Sequence, residues 1–292
     1  MHLGFASGEF HTLLDSTLYV PKDAWADNPK RRKKVGMPKE VVYKPLHEIA
    51  LDQIERARMN GVPLDWIVAD ERYGEVPEFL ETLEGWGCRY VLEVPSGMTG
   101  WTTRPALESA EGDRVASDAA RPKSIREIVE HSHAVRKAAT TAYRVKDTNK
   151  GPEVWEVKEV EFFHHRRGRC SPALRLLIAR NVLDGARKTF VSNAPRSVPL
   201  ATLLRVAFSR WRIERCFEDS KGEVGLDHFE VRRYGSIRRH LTVSMVSHLF
   251  LAEGADRLRG KKSGRDGVPG QARRGHALEH RRPLARRTAA TR

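Results

Sequence analysis

The chain has 292 residues, 40% of them hydrophobic and 31% charged, with a net charge of +14. That length can bury a sizeable core, as one large domain or one domain with an insertion. No apolar run approaches the ~18 residues of a membrane span, and no signal-peptide pattern opens the chain, so it reads as cytoplasmic with no membrane partner. Three cysteines, Cys88, Cys170 and Cys216, are far apart and odd in number, which argues for a reducing compartment and against a zinc site or a disulfide frame. The charge excess is local. Residues 256–292 carry twelve Lys and Arg against three acids, and Lys30–Lys34 carry five more. Together they account for the whole excess, so the remaining chain is about neutral. Concentrated basic segments attract phosphate backbones without reading sequence. They are equally what a solvated loop or tail looks like.

In chain order, residues 1–20 read as two strands, His2–Ala6 and Thr12–Val20, joined by the turn Ser7-Gly-Glu-Phe. Residues 21–44 are a Pro- and Lys-rich excursion. Pro45 opens a helix with Leu46, Ile49, Ala50, Ile54 and Ala57 on one side, and Gly61-Val-Pro stops it. Asp65–Asp70 is a short buried strand ending on a carboxylate, Val76–Trp86 is helical, and Arg89–Val94 is a strand closed by Pro95. A hairpin followed by this αβαβ order suggests a mostly parallel sheet with helices packed on it. Ser96–Lys123 reads as loop and Ser124–Ala139 as helix. Strand-like runs follow at Thr141–Lys146, Val154–Phe163, Leu174–Ala179 and Arg187–Ser192, the pattern of an antiparallel insertion. From Pro199 the chain is helical, with Leu200, Leu203, Leu204, Ala207 and Trp211 as an apolar stripe, and a further helix spans Ser236–Asp256. Beyond Gly260 the Gly/Arg/Ala/Pro-rich composition without periodicity reads as disordered.

The segment 210–232 carries the chemistry. At about 100° per residue, Glu214 lies about 40° and Lys221 about 20° from Arg210 around a helix. One face therefore presents a guanidinium, a carboxylate and an ammonium. A carboxylate between cations stays ionised and can take a metal, and the cations can take phosphate. The same spacing also describes an ordinary solvated face of i, i+4 pairs. Asp70, at the end of a strand, stands where α/β sites collect ligands, and is equally suited to capping a turn. His131, His133, His164 and His165 lack Cys or acid partners at ligand spacing and read as surface residues. Glu71, next along the strand, should point the other way from Asp70. Trp101 and Trp155 suit core or β-surface packing, with stacking on a flipped base as the alternative.

Residues 198–203 (Val-Pro-Leu-Ala-Thr-Leu) and 211–232 together resemble the C-terminal signature of bacterial insertion-sequence DDE transposases. The signature is Tyr-x2-Arg-x3-Glu-x6-Lys. Arg210, Glu214 and Lys221 match three of its four positions, and the Tyr position is Ala207, with Phe208 beside it. Trp66-Ile-Val-Ala-Asp70-Glu-Arg-Tyr-Gly74 resembles the strand bearing the family's second aspartate, and Leu14–Pro21 resembles a strand just after its first.

The resemblance implies an α/β fold: an RNase H-like mixed sheet flanked by helices, with a β-rich insertion before the helix of the catalytic glutamate. The corresponding division is 1–95 as the first part of the core, 96–198 as the insertion, 199–258 as the core's C-terminal helices and 259–292 as a basic tail. It implies catalytic, metal-binding roles for Asp70 and Glu214, phosphate contacts from Arg210 and Lys221, and Mg²⁺ or Mn²⁺ as the metal. DNA is then the partner, with a homo-oligomer or an intact transposase as a possible protein partner. In the family a first aspartate lies on a strand before such a hairpin. Nothing precedes the hairpin here, and Asp15 sits at a non-catalytic position, so the chain reads as N-terminally truncated and inactive alone. Two alternatives stay open: a non-catalytic remnant that binds DNA or a transposase, and an RNase H-like nuclease using another acid.

Overall fold

The computed structural model describes residues 1–148 and 151–263. The expectation of disorder beyond Gly260 falls mainly on 264–292, outside the described residues. The chain opens with a hairpin of β1 (His2–Ser7) and β2 (Phe10–Ser16), followed by a π-helical turn, Lys22–Ala26. Helix α1 (Pro29–Val35) then interrupts what the sequence suggested was plain excursion. Its boundary signals are local: Asn28 caps the Arg31 N–H, Pro29 sits at the first turn, and Gly36 closes it at φ 65°. Next come α2 (Leu46–Met59), β3 (Ile67–Ala69), α3 (Glu71–Gly74), α4 (Pro77–Gly85) and β4 (Tyr90–Glu93). Short strands β5 (Thr99–Trp101) and β6 (Lys123–Ser124) precede α5 (Ile125–His131) and α6 (His133–Lys137). Ser132 breaks the single helix expected over 124–139 by ending α5 and capping α6.

A run of antiparallel strands follows: β7 (Thr140–Thr148), β8 (Gly151–Arg166), β9 (Arg169–Cys170), β10 (Leu174–Asn181) and β11 (Arg187–Ser192). The chain then returns to helix in α7 (Leu200–Ala207), a 3₁₀ turn at Phe208–Arg210, α8 (Trp211–Val224) and α9 (Tyr234–Ser263).

The main sheet has the order β3-β4-β11-β10-β8-β5-β6. Only β3 and β4 pair in parallel; every other pairing in it is antiparallel. The sheet is mixed, as the resemblance implied, and not mostly parallel as the αβαβ order alone suggested. The physical reason is that β8, β10 and β11 are joined by tight connections, which require antiparallel neighbours, and β11 then docks on β4. Helices cover both faces. On one, Ile54, Phe79, Leu80, Leu83, Ile125 and Ile128 pack on Tyr90, Leu92, Phe162 and Leu176. On the other, Leu203, Leu204 and Ala207 pack on Val91, Val157, Leu177 and Phe190. Consecutive residues of β10 feed opposite layers, which is why it is buried almost throughout. The β1–β2 hairpin forms its own two-stranded sheet, packed through Leu13 against Cys216, Ile213 and Phe217 of α8 and Leu241 of α9.

The two tryptophans pack as expected: Trp101 and Trp155 are both buried. Phe208, beside the Tyr position of the signature, also packs inward, stacked on Tyr143 at 5.8 Å and against Trp155 at 5.2 Å. The histidine expectation is corrected at one position. His164 is 4% exposed, because β8 turns it inward where Arg166 Nε donates to its Nδ1 at 3.1 Å.

Candidate active site

The site is built where three local stops coincide. Strand β3 ends at Ala69, and Asp70 turns the chain into α3 with its Oδ1 accepting from the Arg72 N–H at 3.1 Å. The capping role and the strand-end position thus belong to the same residue. The parallel register Ala69↔Leu92 puts Glu93 at the neighbouring position of β4, at the same end of the sheet. Close approach of α3 to that end depends on Gly74. A Cβ there would stand 2.0 Å from the Glu93 carbonyl oxygen.

The third stop is the 3₁₀ turn after α7, which delivers Arg210 to this end. Arg210 Nε lies 3.8 Å from Glu93 Oε2, and its Nη2 donates to Glu214 Oε1 at 3.3 Å. Lys188 on β11 donates to both Glu93 oxygens at 3.1 Å. A row of alternating charge therefore runs Lys188, Glu93, Arg210, Glu214. A cleft of about 390 Å³ opens beside it, lined by Asp70, Glu71, Glu75, Glu93 and Arg210 among others. Glu71 shares the cleft with Asp70 rather than facing away, because the chain leaves strand geometry at Asp70 and side-chain alternation ends there.

Asp70 and Arg210, 140 residues apart in sequence, thus line one cleft, and Glu214 is ion-paired to Arg210. Glu214 is 61% exposed, since α8 turns Cys216 and Ser220 inward and leaves Glu214 outward. Lys221 is exposed in the last turn of α8, about 10 Å along the axis from Glu214. It makes no ion pair among the described residues. Glu93 is the residue that sequence reasoning missed. Its signal was present: it ends a strand just before Pro95, as Asp70 ends the neighbouring one.

A protein-family profile described as DDE superfamily endonuclease matches residues 1–152, just over half of the chain. The chain belongs to this superfamily. Its function is accordingly of the transposase or nuclease kind, and its mixed sheet flanked by helices is consistent with a DDE nuclease fold. No curated protein matches the chain. DDE endonucleases typically work with divalent metal ions. Among the described residues, no three His, Cys, Asp or Glu side chains are grouped so as to enclose a metal ion. The donors at the cleft nonetheless suit Mg²⁺, a hard cation commonly held by one or two carboxylates plus water and substrate phosphate. Among the described residues no helix is long and apolar enough to cross a membrane.

Proposed function

We propose that this DDE chain belongs to the insertion-sequence transposases that cut and rejoin DNA at element ends. We assign Asp70 and Glu214 as metal-binding carboxylates for Mg²⁺ or Mn²⁺, and Arg210 and Lys221 as contacts to the DNA backbone. The observation that carries this reading is the meeting of Asp70 and Arg210 at one cleft, with Glu214 held on Arg210. These are the positions of the second-aspartate strand and of the Arg-Glu-Lys signature, and the profile match supports the same family from the other half of the chain.

A bound divalent ion would activate the attacking oxygen and stabilise the leaving one. The chain's own residues do the rest. Asp70 is held at the sheet's end by its cap to Arg72, which fixes the direction of its carboxylate. Arg210 is held from two sides, by Glu93 and Glu214, so its guanidinium stays at the cleft where a phosphate oxygen can displace one carboxylate. Lys221 extends the cationic face along α8, toward a neighbouring phosphate. In this reading the RNase H-like core comprises 1–95 and 199–258, and 96–198 is its β-rich insertion. The protein acts in the cytoplasm, on DNA, with a second copy or an intact transposase as protein partner.

Two carboxylates can hold an ion, but they do not position a pair of them. The chain alone is therefore expected to bind insertion-sequence end DNA without cleaving it. The test is to titrate Mn²⁺ into the purified chain and assay end DNA in parallel. Asp70→Asn and Glu214→Gln should each weaken Mn²⁺ binding, while Arg210→Gln and Lys221→Gln should weaken DNA binding in chelator. Mn²⁺ affinity indifferent to both carboxylates would reject the site. Cleavage by the unaltered chain, abolished by Glu214→Ala, would show that a further acid completes it.

A further inference from the structure

Arg210 serves two carboxylates, and the two are not equivalent. Its Nε lies 3.8 Å from Glu93 Oε2, and its Nη2 donates to Glu214 Oε1 at 3.3 Å. Glu93 is built into the sheet. It sits on β4, between β3 and β11, with its side chain 18% exposed. Lys188 on β11 stands two residues from Phe190, the register partner of Glu93, and reaches across diagonally to donate to both Glu93 oxygens. Glu214 stands on the outer side of α8, 61% exposed, and meets Arg210 through an i, i+4 pair. Exposed pairs of this kind contribute little and part at little cost.

We propose that Glu93 is the positioning residue for Arg210, and that an incoming DNA phosphate displaces Glu214 from the guanidinium while Glu93 stays. The inference rests on the backbone-contact role proposed above for Arg210. A guanidinium has five N–H donors, one on Nε and two on each Nη. Glu93 takes the Nε side. Once Glu214 leaves, both Nη atoms are available for the two parallel bonds that a guanidinium makes to a phosphate. The order of displacement follows from the anchors. Glu214 returns to water at once, because most of its side chain is already there. Glu93 is held by Lys188 and by the strand, so it has nowhere better to go. The released Glu214 is then free for the metal role assigned to it. Without Glu93, Arg210 would have Glu214 alone to hold it, and its guanidinium would follow that exposed side chain out over α8. The cleft would then lose a phosphate contact even though it had lost a negative charge. Simple repulsion between Glu93 and DNA makes the opposite prediction, so the sign of the effect separates the two roles.

The test reads duplex binding by the full chain in chelator, by anisotropy of a fluorescein-labelled duplex over a series of salt concentrations. No metal enters it, so its outcome is independent of the metal assignment. Glu93→Gln should weaken binding about five- to tenfold. It should also lower the slope of log affinity against log salt by about 0.9, one phosphate contact, as Arg210→Gln does. Glu75→Gln makes the same charge change in the same cleft, and should bind as tightly as the unaltered chain or more tightly. Glu214→Gln should tighten binding, since it removes the competitor for the Nη atoms. In an Arg210→Gln background, Glu93→Gln should weaken binding no further. Tighter binding by Glu93→Gln, or an equal loss in both backgrounds, would overturn the proposal and leave the phosphate contact standing. An Arg210→Gln chain that binds duplex like the unaltered one would reject the contact and the proposal together. Should Glu93→Gln fail to fold, the surface substitution Glu214→Gln still decides: unchanged or weaker binding would show that Glu214 is not the carboxylate that yields.

Discussion

Two arginines, Arg166 and Arg175, are buried among the described residues, each paired with a glutamate; the Arg166 partner is Glu84. Its two oxygens accept from Arg166 at 2.8 Å each, and one also accepts from Tyr90 Oη at 2.6 Å. Arg166 is 4% exposed. Arg166→Met should cost about 3–5 kcal/mol in urea denaturation, because it leaves the Glu84 charge partly buried and uncompensated. Replacing Glu84 by Met as well should recover much of that loss. The same Arg166 governs His164, whose pKa is pushed down to about 3, by burial first and then by the charges of Arg166 and His165. Only a ring unprotonated at Nδ1 can accept from Arg166. Because the folded value is depressed, the unfolded chain takes up the proton first. This contribution to stability is fully present above about pH 6.5 and is lost as pH falls from there toward 3, at roughly 1.4 kcal/mol per pH unit. His164→Asn keeps an acceptor and removes the titration, so it should flatten the fall of Tm between about pH 6 and 4. An unchanged slope would transfer the acid sensitivity to His2, also lowered to about 4 by burial.

Among the elements, α3 shows most directly how packing fixes the candidate site. It is one turn long, and its last residue, Gly74, lies against the Glu93 carbonyl. Gly74→Ala must move either α3, with Asp70 at its head, or the end of β4, with Glu93. A cost of about 1–3 kcal/mol is expected in chemical denaturation, the usual size of an overpacking change. Gly85, at the end of α4, has open space around its Cβ position and no left-handed backbone. Gly85→Ala should be neutral or stabilise by up to about 1 kcal/mol. Equal effects from the two would show that α3 does not press on β4 as described.

Across the whole molecule, charge and fold are separate matters. The five cations of 30–34 sit on α1, outside the three-layer body. Arg31 and Arg32 donate to the carbonyls of Ala24, Ala26, Pro38 and Lys39, which ties the segment together. Lys30, Lys33 and Lys34 are not used in those bonds. If they meet DNA, replacing all three with Gln should lower the slope of log affinity against log salt by about 0.9 for each phosphate they neutralise. An unchanged slope would place the phosphate-binding groups elsewhere, with Arg210 and Lys221 next.

The sequence by itself determined the longer elements and their order, though not α1, the short strands β5, β6 and β9, or the break between α5 and α6. Hydrophobic period separates the α2 stripe from the β8, β10 and β11 runs, and Pro45, Pro95 and Pro199 mark their limits, because these signals act over a few residues. It also marked Asp70, Arg210, Glu214 and Lys221 as chemically apt types at apt spacing. It marked Glu93 only as a strand end before Pro95; the importance of that residue comes from the β3–β4 register and from Lys188 and Arg210 arriving from distant segments. Nor could it see that His164 lies inside, since one residue of strand register decides which face a side chain takes.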